Sequence, residues 1–96
     1  MYSVLISHTF VKQFHAIEED TKNRIRKALE GLSSDPFTPS PDMDIKPLTA
    51  TNPKKHRIMV GNYRIVYAVE EKTVRIIEVF IRGRGMIKED NSLSAG

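Results

Sequence analysis

Residues 56 to 81 alternate apolar and polar side chains with a period of two, interrupted by two short polar turns. A period of two is typical of β-strands that bury one face. The pattern predicts a three-stranded antiparallel meander, with hairpin turns at Gly61-Asn62 and at residues 70–73. One parity places an apolar set on one side of this sheet: Ile58, Val60, Tyr63, Ile65, Tyr67, Val69, Ile77, Val79 and Ile81.

The opposite parity predicts a second, mixed face of the sheet. Three arginines from three different strands lie on it: Arg57, Arg64 and Arg82. The same parity carries Met59, Val66, Ala68, Val74, Ile76, Glu78 and Phe80. Guanidinium groups that converge beside apolar side chains suggest a site for a polyanion.

Two amphipathic helices are predicted ahead of the meander, after a short strand at residues 2–6. Ser7 or Thr9 can cap the first helix, whose apolar stripe is Phe10, Val11, Phe14 and Ile17. The second helix has Asp20 as its predicted N-cap, ends at residues 33–36, and carries Ile25, Ala28, Leu29 and Leu32. Helices this short are not stable alone in water, so both stripes are expected to pack on the apolar face of the sheet.

The remaining segments complete a single α+β domain over residues 1–86. Its predicted element order is β-α-α-β-β-β, with a helical hairpin packed on one face of a small antiparallel sheet. Residues 45–48 are a short strand or an extended approach, and Pro47 bars them from a central position. Residues 87–96 have no apolar period and are expected to form a flexible tail. The absence of cysteine, of a signal segment and of an apolar run near the ~20 residues of a membrane span favours a cytoplasmic protein without a membrane partner.

Basic charge is concentrated in the sheet half of the chain. The formal net charge is +3, but residues 54–85 contain eight Lys or Arg and three Glu, a net +5, which leaves −2 for the remainder. Lys54, Lys55 and Arg84 therefore join the three arginines as candidate nucleic-acid contacts. The alternative is a solvated basic surface with no ligand.

The order of elements, together with three local motifs, resembles the RelE family of toxins within the RelE/ParE superfamily. The most specific motif is the run from Arg57 to Tyr67, with Gly61-Asn62-Tyr63-Arg64 at its centre. The second is Arg82-Gly83-Arg84 after an apolar strand, and the third is the short helical hairpin ahead of a proline-containing loop. The resemblance covers residues 2 to about 86.

This resemblance implies a toxin that cuts mRNA in the ribosomal A site and is silenced by a RelB-like antitoxin, in a possible toxin-antitoxin hetero-oligomer. In such enzymes the ribose 2′-hydroxyl attacks the adjacent phosphate, and neither a metal nor another cofactor is needed. Arg64 matches the family's strand arginine that contacts the phosphate, and Arg82 matches the arginine at the end of the last long strand. Arg57 matches a basic position on the preceding strand, and Lys46, a looser match to the family's approach segment, is a further candidate RNA contact.

Two positions depart from the family pattern. Met59 stands where the family has a second basic residue, and Met86-Ile87 stands where the family has a tyrosine after the last strand. In some members that tyrosine stacks on a base and contributes to the chemistry. Base preference is therefore not predicted.

The general base is not identified by the sequence, because arginine stays protonated and cannot accept the 2′-hydroxyl proton. Three candidates are open: Glu78, His56 and Lys46. Glu78 is predicted to be an ion-pair partner of the arginines, since such surroundings favour its charged form. His56 has the parity of the helix side, and His8 and His15 are expected on helix surfaces. Tyr63 and Tyr67 also have the helix-side parity, so a core role is preferred to base stacking.

Two other functions remain open. The first is a ParE-type toxin that poisons DNA gyrase and shares the fold without cutting RNA. The second is a member that binds an antitoxin but has lost cleavage, because of Met59 and the missing tyrosine.

Overall fold

The computed structural model describes residues 1–41, 43–48 and 55–81, and these form two helices and one five-stranded sheet. In chain order the elements are β1 (Ser3–Ile6), α1 (His8–His15), α2 (Glu19–Ser34), β2 (Asp44–Leu48), β3 (Lys55–Val60), β4 (Tyr63–Glu70) and β5 (Thr73–Ile81). The strand order across the sheet is β1-β5-β4-β3-β2. The predicted α+β class is confirmed.

The sheet contains the predicted meander of β3, β4 and β5, extended by one strand on each side. β2 pairs antiparallel with β3 and forms one edge, where Pro47 is tolerated as expected. β1 pairs with β5 in parallel and forms the other edge, so the five-stranded sheet is mixed. The β3–β4 turn contains Gly61 with φ of +59°, a backbone conformation that glycine adopts at little cost.

A β-bulge in β5 changes which of its side chains face the core. Val66 of β4 pairs with Glu78, whereas the next residue, Tyr67, pairs with Ile76, so Ile77 is an extra residue in β5. The prediction that Val74 and Ile76 lie on the mixed face is therefore wrong: both are buried in the core, at 0% and 1% exposure. Ile77, predicted for the helix side, is only half-buried and lies outside the core cluster.

Side chains of α1 and its cap satisfy the backbone of β5 at this bulge. The Ser7 hydroxyl accepts the amide N–H of Phe10, which caps α1, and it donates to the carbonyl of Ile77. The amide of Val79 donates to Gln13 Oε1 at 2.7 Å. β1 pairs with β5 only as far as Ile76, so these side chains continue the hydrogen bonding where β1 ends.

Both helices pack on the same face of the sheet, as predicted. α2 buries Ile25, Ala28 and Leu32, but it begins at Glu19 with Glu18 as its N-cap, so the predicted cap at Asp20 is wrong. Asp20 lies in the first turn, where a negative charge is favourable beside the unpaired amides. In α1 the stripe residue Val11 is 42% exposed, because it directly follows the buried Phe10 and points to a different side of the helix.

Tyr67 is the largest fully buried side chain and links the sheet to the loop after α2. Its hydroxyl donates to the carbonyl of Pro36 at 2.7 Å, and its ring stacks on His56 with centroids 5.5 Å apart. The core role predicted for Tyr67 is confirmed, and His56 lies on the helix side as expected. His8 and His15 are exposed on α1.

No helix in the described part of the chain is long and apolar enough to cross a membrane. The predicted tail at residues 87–96 lies outside the described residues.

Replacement of Tyr67 by Phe is expected to lower the free energy of unfolding by about 1–3 kcal/mol, because it leaves the Pro36 carbonyl without its buried donor. Urea denaturation of the two proteins measures the difference. An unchanged midpoint would show that the hydroxyl contributes nothing to stability.

The same hydroxyl predicts a loss of stability at alkaline pH. Burial raises the pKa of Tyr67 far above its usual value of about 10. Above pH about 10 the unfolded chain ionises this group while the folded chain does not, so the stability present below that pH is lost as the pH rises. The free energy of unfolding of the wild type is therefore expected to fall more steeply above that pH than that of the Tyr67→Phe variant.

Candidate functional site

The sheet surface opposite the two helices, here named the arginine face, is built from side chains that lie in register across the strands. One row runs across four strands: Lys46, Arg57, Val66 and Glu78. The next row, two residues along each strand, is Asp44, Met59, Arg64 and Phe80. The two rows bring together cationic, apolar and aromatic side chains that are far apart in the sequence.

Arg57 and Arg64 are diagonal neighbours on the arginine face. Arg57 pairs with Val66, and Arg64 lies two residues before Val66 on β4. Side chains in this relation have Cβ atoms less than about 8 Å apart. Two guanidinium groups at this spacing can contact the same phosphate or adjacent phosphates.

Asp44 anchors the Arg57 side chain at the edge of the sheet. Arg57 Nη1 donates to the backbone carbonyl of Asp44 at 2.8 Å and lies 3.2 Å from its carboxylate Oδ1. The Arg57 side chain is only 11% exposed, so the anchor fixes a largely desolvated guanidinium. Both contacts use one nitrogen of the guanidinium fork, Nη1.

Arg64 carries a buried donor with no partner in the described part of the chain. Its Nε is shielded from solvent and forms no hydrogen bond there. Buried donors in native proteins are nearly always satisfied, so this one requires an explanation, such as a bound water or ion or a catalytic role. An oxyanion on the arginine face is a chemically suitable acceptor.

Like charges are also held close together on this surface. Lys46 lies directly opposite Arg57 in the β2–β3 pair, an arrangement that destabilises a sheet. The carboxylate of Asp44 offsets part of this repulsion. A bound anion would offset more of it, so the arrangement favours occupancy by a negatively charged ligand.

The structure adds Arg75 to the arginine face, a residue that the sequence analysis assigned to neither face. The bulge reverses the parity of β5 before Ile77, so that Arg75, Ala68 and Lys55 form a third row. Arg75 is exposed and pairs with Glu70 at 3.3 Å. The adjacent apolar residues Ile76 and Ile77, where the alternation breaks, are the sequence signal that could have revealed the bulge.

The other predicted site residues have different outcomes. Lys46 and Lys55 lie on the arginine face, whereas Lys54, Arg82 and Arg84 lie outside the described residues. The ion-pair partner of Arg57 is Asp44, which was not predicted, and Glu78 forms no salt bridge with any described residue. Within residues 1–41, 43–48 and 55–81, no cluster of three or more His, Asp and Glu side chains is arranged to hold a metal ion.

Comparison with known proteins gives one family and a consistent fold. The sequence profile described as "ParE toxin of type II toxin-antitoxin system, parDE" matches residues 4–86. No curated protein sequence matches the chain.

Three solved complexes illustrate the structural likeness. The archaeal RelE–RelB complex from Pyrococcus horikoshii OT3 has a chain with a TM-score of 0.75 at 27% identity, over 86% of this chain and 97% of that chain. The RelB–RelE antitoxin-toxin complex from Methanococcus jannaschii has a chain with a TM-score of 0.71 at 27% identity, over 88% of this chain and 95% of that chain. The toxin-antitoxin complex RelBE2 from Mycobacterium tuberculosis has a chain with a TM-score of 0.70 at 24% identity, over 84% of this chain and 98% of that chain. At this identity the likeness is one of fold.

The Asp44→Asn substitution is expected to strengthen binding of inorganic phosphate to the arginine face by about 2- to 5-fold, because it removes a negative charge worth about 1 kcal/mol at 4 Å in water. Asp44 is 60% exposed, so the stability cost is expected to stay below about 1 kcal/mol. Phosphate titration followed by NMR of the arginine side chains measures the change. Weaker binding would instead show that the carboxylate holds Arg57 in its binding position.

Proposed function

Because the chain belongs to the ParE toxin family of type II toxin-antitoxin systems, within the RelE/ParE superfamily, we propose that it is a ribosome-dependent mRNA endonuclease. The observation that carries this proposal is the pair formed by Arg57, anchored and largely desolvated, and Arg64, whose buried Nε has no partner among the described residues. Such a pair suits the scissile phosphate of an RNA strand.

The proposed reaction is an intramolecular phosphoryl transfer. The ribose 2′-oxygen forms a bond to the adjacent phosphorus as the bond to the 5′-oxygen breaks. The 2′-hydroxyl proton passes to a base, and the leaving 5′-oxygen takes up a proton, which gives a 2′,3′-cyclic phosphate and a 5′-hydroxyl. Arg57 and Arg64 would stabilise the negative charge that grows on the non-bridging oxygens.

The arginine face supplies charge stabilisation more readily than proton transfer. Guanidinium groups stay protonated at any physiological pH, so they cannot act as the base. Binding in the ribosomal A site would orient the 2′-hydroxyl in line with the leaving oxygen, and orientation of this kind can supply a large share of the rate enhancement. Phe80, opposite Arg64 in register, offers an apolar ring beside the phosphate position.

A second candidate is a toxin that poisons DNA gyrase. It is favoured by the description of the matching family, which names ParE. Against it stands the pair of arginines on the arginine face, because a protein target does not require buried donors of the kind that suit a phosphate.

The partner proposed for this toxin is a RelB-like antitoxin. The similar structures from Pyrococcus horikoshii and Methanococcus jannaschii are complexes of RelE with RelB. An acidic segment in the antitoxin would complement the net +5 of residues 54–85.

Arg64→Gln and Arg57→Gln are each expected to lower the rate of mRNA cleavage on programmed ribosomes by about 10²- to 10³-fold, the usual cost of losing one donor to a developing oxyanion. Arg75→Gln is the matched control, since Arg75 lies on the same face but in a row about 13 Å along β4 from Arg64. Primer extension on the ribosome-bound mRNA measures cleavage.

Equal cleavage by the wild type and all three variants would disprove the residue assignment. Loss of gyrase supercoiling activity in the presence of the wild-type protein, without any mRNA cleavage, would favour the second candidate instead.

A further inference from the structure

A groove beside the arginine face lies between α2 and the end of the β3–β4 hairpin. It has a volume of about 590 Å³ and is here named the α2 groove. Arg24 and Lys27 form its cationic wall, and Ala28, Met59 and Val60 contribute apolar surface. A second hollow of about 380 Å³ shares Arg24 and Gly61 with it, so Arg24 lies between the two.

The two cations have no carboxylate partner among the described residues. The salt bridges there join Arg26 to Glu19, Arg57 to Asp44 and Arg75 to Glu70. Among the described residues that line the groove, the one carboxylate is Asp44, which is already paired with Arg57. Arg24 and Lys27 are exposed, so their charge is available to an anionic ligand.

The α2 groove is continuous with the arginine face. Met59 and Asp44 line the groove, and they also belong to the Arg64 row of the sheet. Arg24 lies against the hairpin turn, since a Cβ atom added at Gly61 would be 3.1 Å from its Nη1. Gly61 precedes Arg64 by three residues, so their Cα atoms are at most about 11 Å apart.

We propose that the α2 groove binds the RNA that flanks the scissile phosphate, with Arg24 and Lys27 contacting backbone phosphates past Arg64. This inference rests on the proposed function and adds a second subsite to it. A strand that leaves Arg64 passes the hairpin turn and meets Arg24 after a short distance. The half-buried Met59 side chain offers an apolar contact for a base there. RNA is favoured over an acidic protein because the cations extend the phosphate-binding face.

The experiment measures binding of 2′-O-methyl RNA, which cannot be cleaved, by fluorescence anisotropy across a range of salt concentrations. For single strands each phosphate contact contributes about −0.7 to the slope of log K against log salt. Each lost cation should therefore weaken binding at about 0.1 M salt by about 5-fold, and both by about 25-fold. The double variant Arg24→Gln, Lys27→Gln is expected to show this loss with a nonanucleotide but not with a dinucleotide, which reaches Arg57 and Arg64 alone.

Arg26→Gln is the matched control on the same helix. Arg26 faces away from the groove, bonds Asn23 at 2.7 Å and Glu19 at 3.5 Å, and lies over the Phe14 ring at 5.3 Å. The Arg26→Gln variant should bind the nonanucleotide with an affinity within about 2-fold of that of the wild type, because the charge of Arg26 is not at the subsite. Thermal unfolding of each variant shows that the fold is retained.

Three results would overturn the proposal. The first is a double variant that binds the nonanucleotide as tightly as Arg26→Gln; if Arg64→Gln still abolishes mRNA cleavage, the proposed function stands and only the subsite fails. The second is a wild type that does not bind the nonanucleotide at all, in which case the cleavage assay alone decides the proposed function. The third is a double variant that loses binding to polyglutamate but keeps its binding to RNA, which would assign the groove to an acidic protein.

Discussion

The bulge in β5, held by two side chains of the N-terminal segment, is the constraint on which the rest of the structure depends. Ser7 caps α1 and donates to the Ile77 carbonyl, while Gln13 accepts from the amide of Val79. These contacts hold α1 against β5 where β1 has ended, and they compensate the hydrogen bonds that an extra residue disrupts. Because of the bulge, β5 directs apolar residues toward the helices along its whole length, although the alternation of its side chains shifts by one residue at Ile77.

The same bulge determines the charge of the opposite surface. Before Ile77 it places Arg75 on the arginine face, and beyond Ile77 it keeps Glu78 and Phe80 in register with β4. A sheet with this many cations on one side needs strong support from its other side, because Lys46 and Arg57 repel each other across β2 and β3. The buried core against α1 and α2 provides that support, and an anion bound on the arginine face would stabilise the folded chain further.

Local pattern was sufficient to predict much of this arrangement. The alternation through β3 and β4 correctly placed Ile58 and Ile65 in the core and Arg57 and Arg64 on the other face, because neither strand contains an irregularity before Val66. The alternation failed in β5, because the adjacent apolar residues Ile76 and Ile77 fit either alternation. Only the pairing of β5 with β4 determines which of the two faces the core. The Asp44–Arg57 contact was also missed, because it depends on the register of β2 beside β3, which the sequence pattern does not determine.

Membership in a toxin family does not by itself decide between an RNA target and a protein target, because the same fold can serve both. The distinguishing property is electrostatic. A protein target would be bound well by exposed, flexible cations, whereas Arg57 is largely desolvated and held in one position by Asp44, an arrangement that suits an anion of fixed geometry. The arginines of this site remain positively charged, so none of them can accept or release a proton in the reaction. For the proposed RNA cleavage, orientation of the reacting ribose would have to come from a larger assembly, which is why the proposal expects activity on the ribosome and little on free RNA.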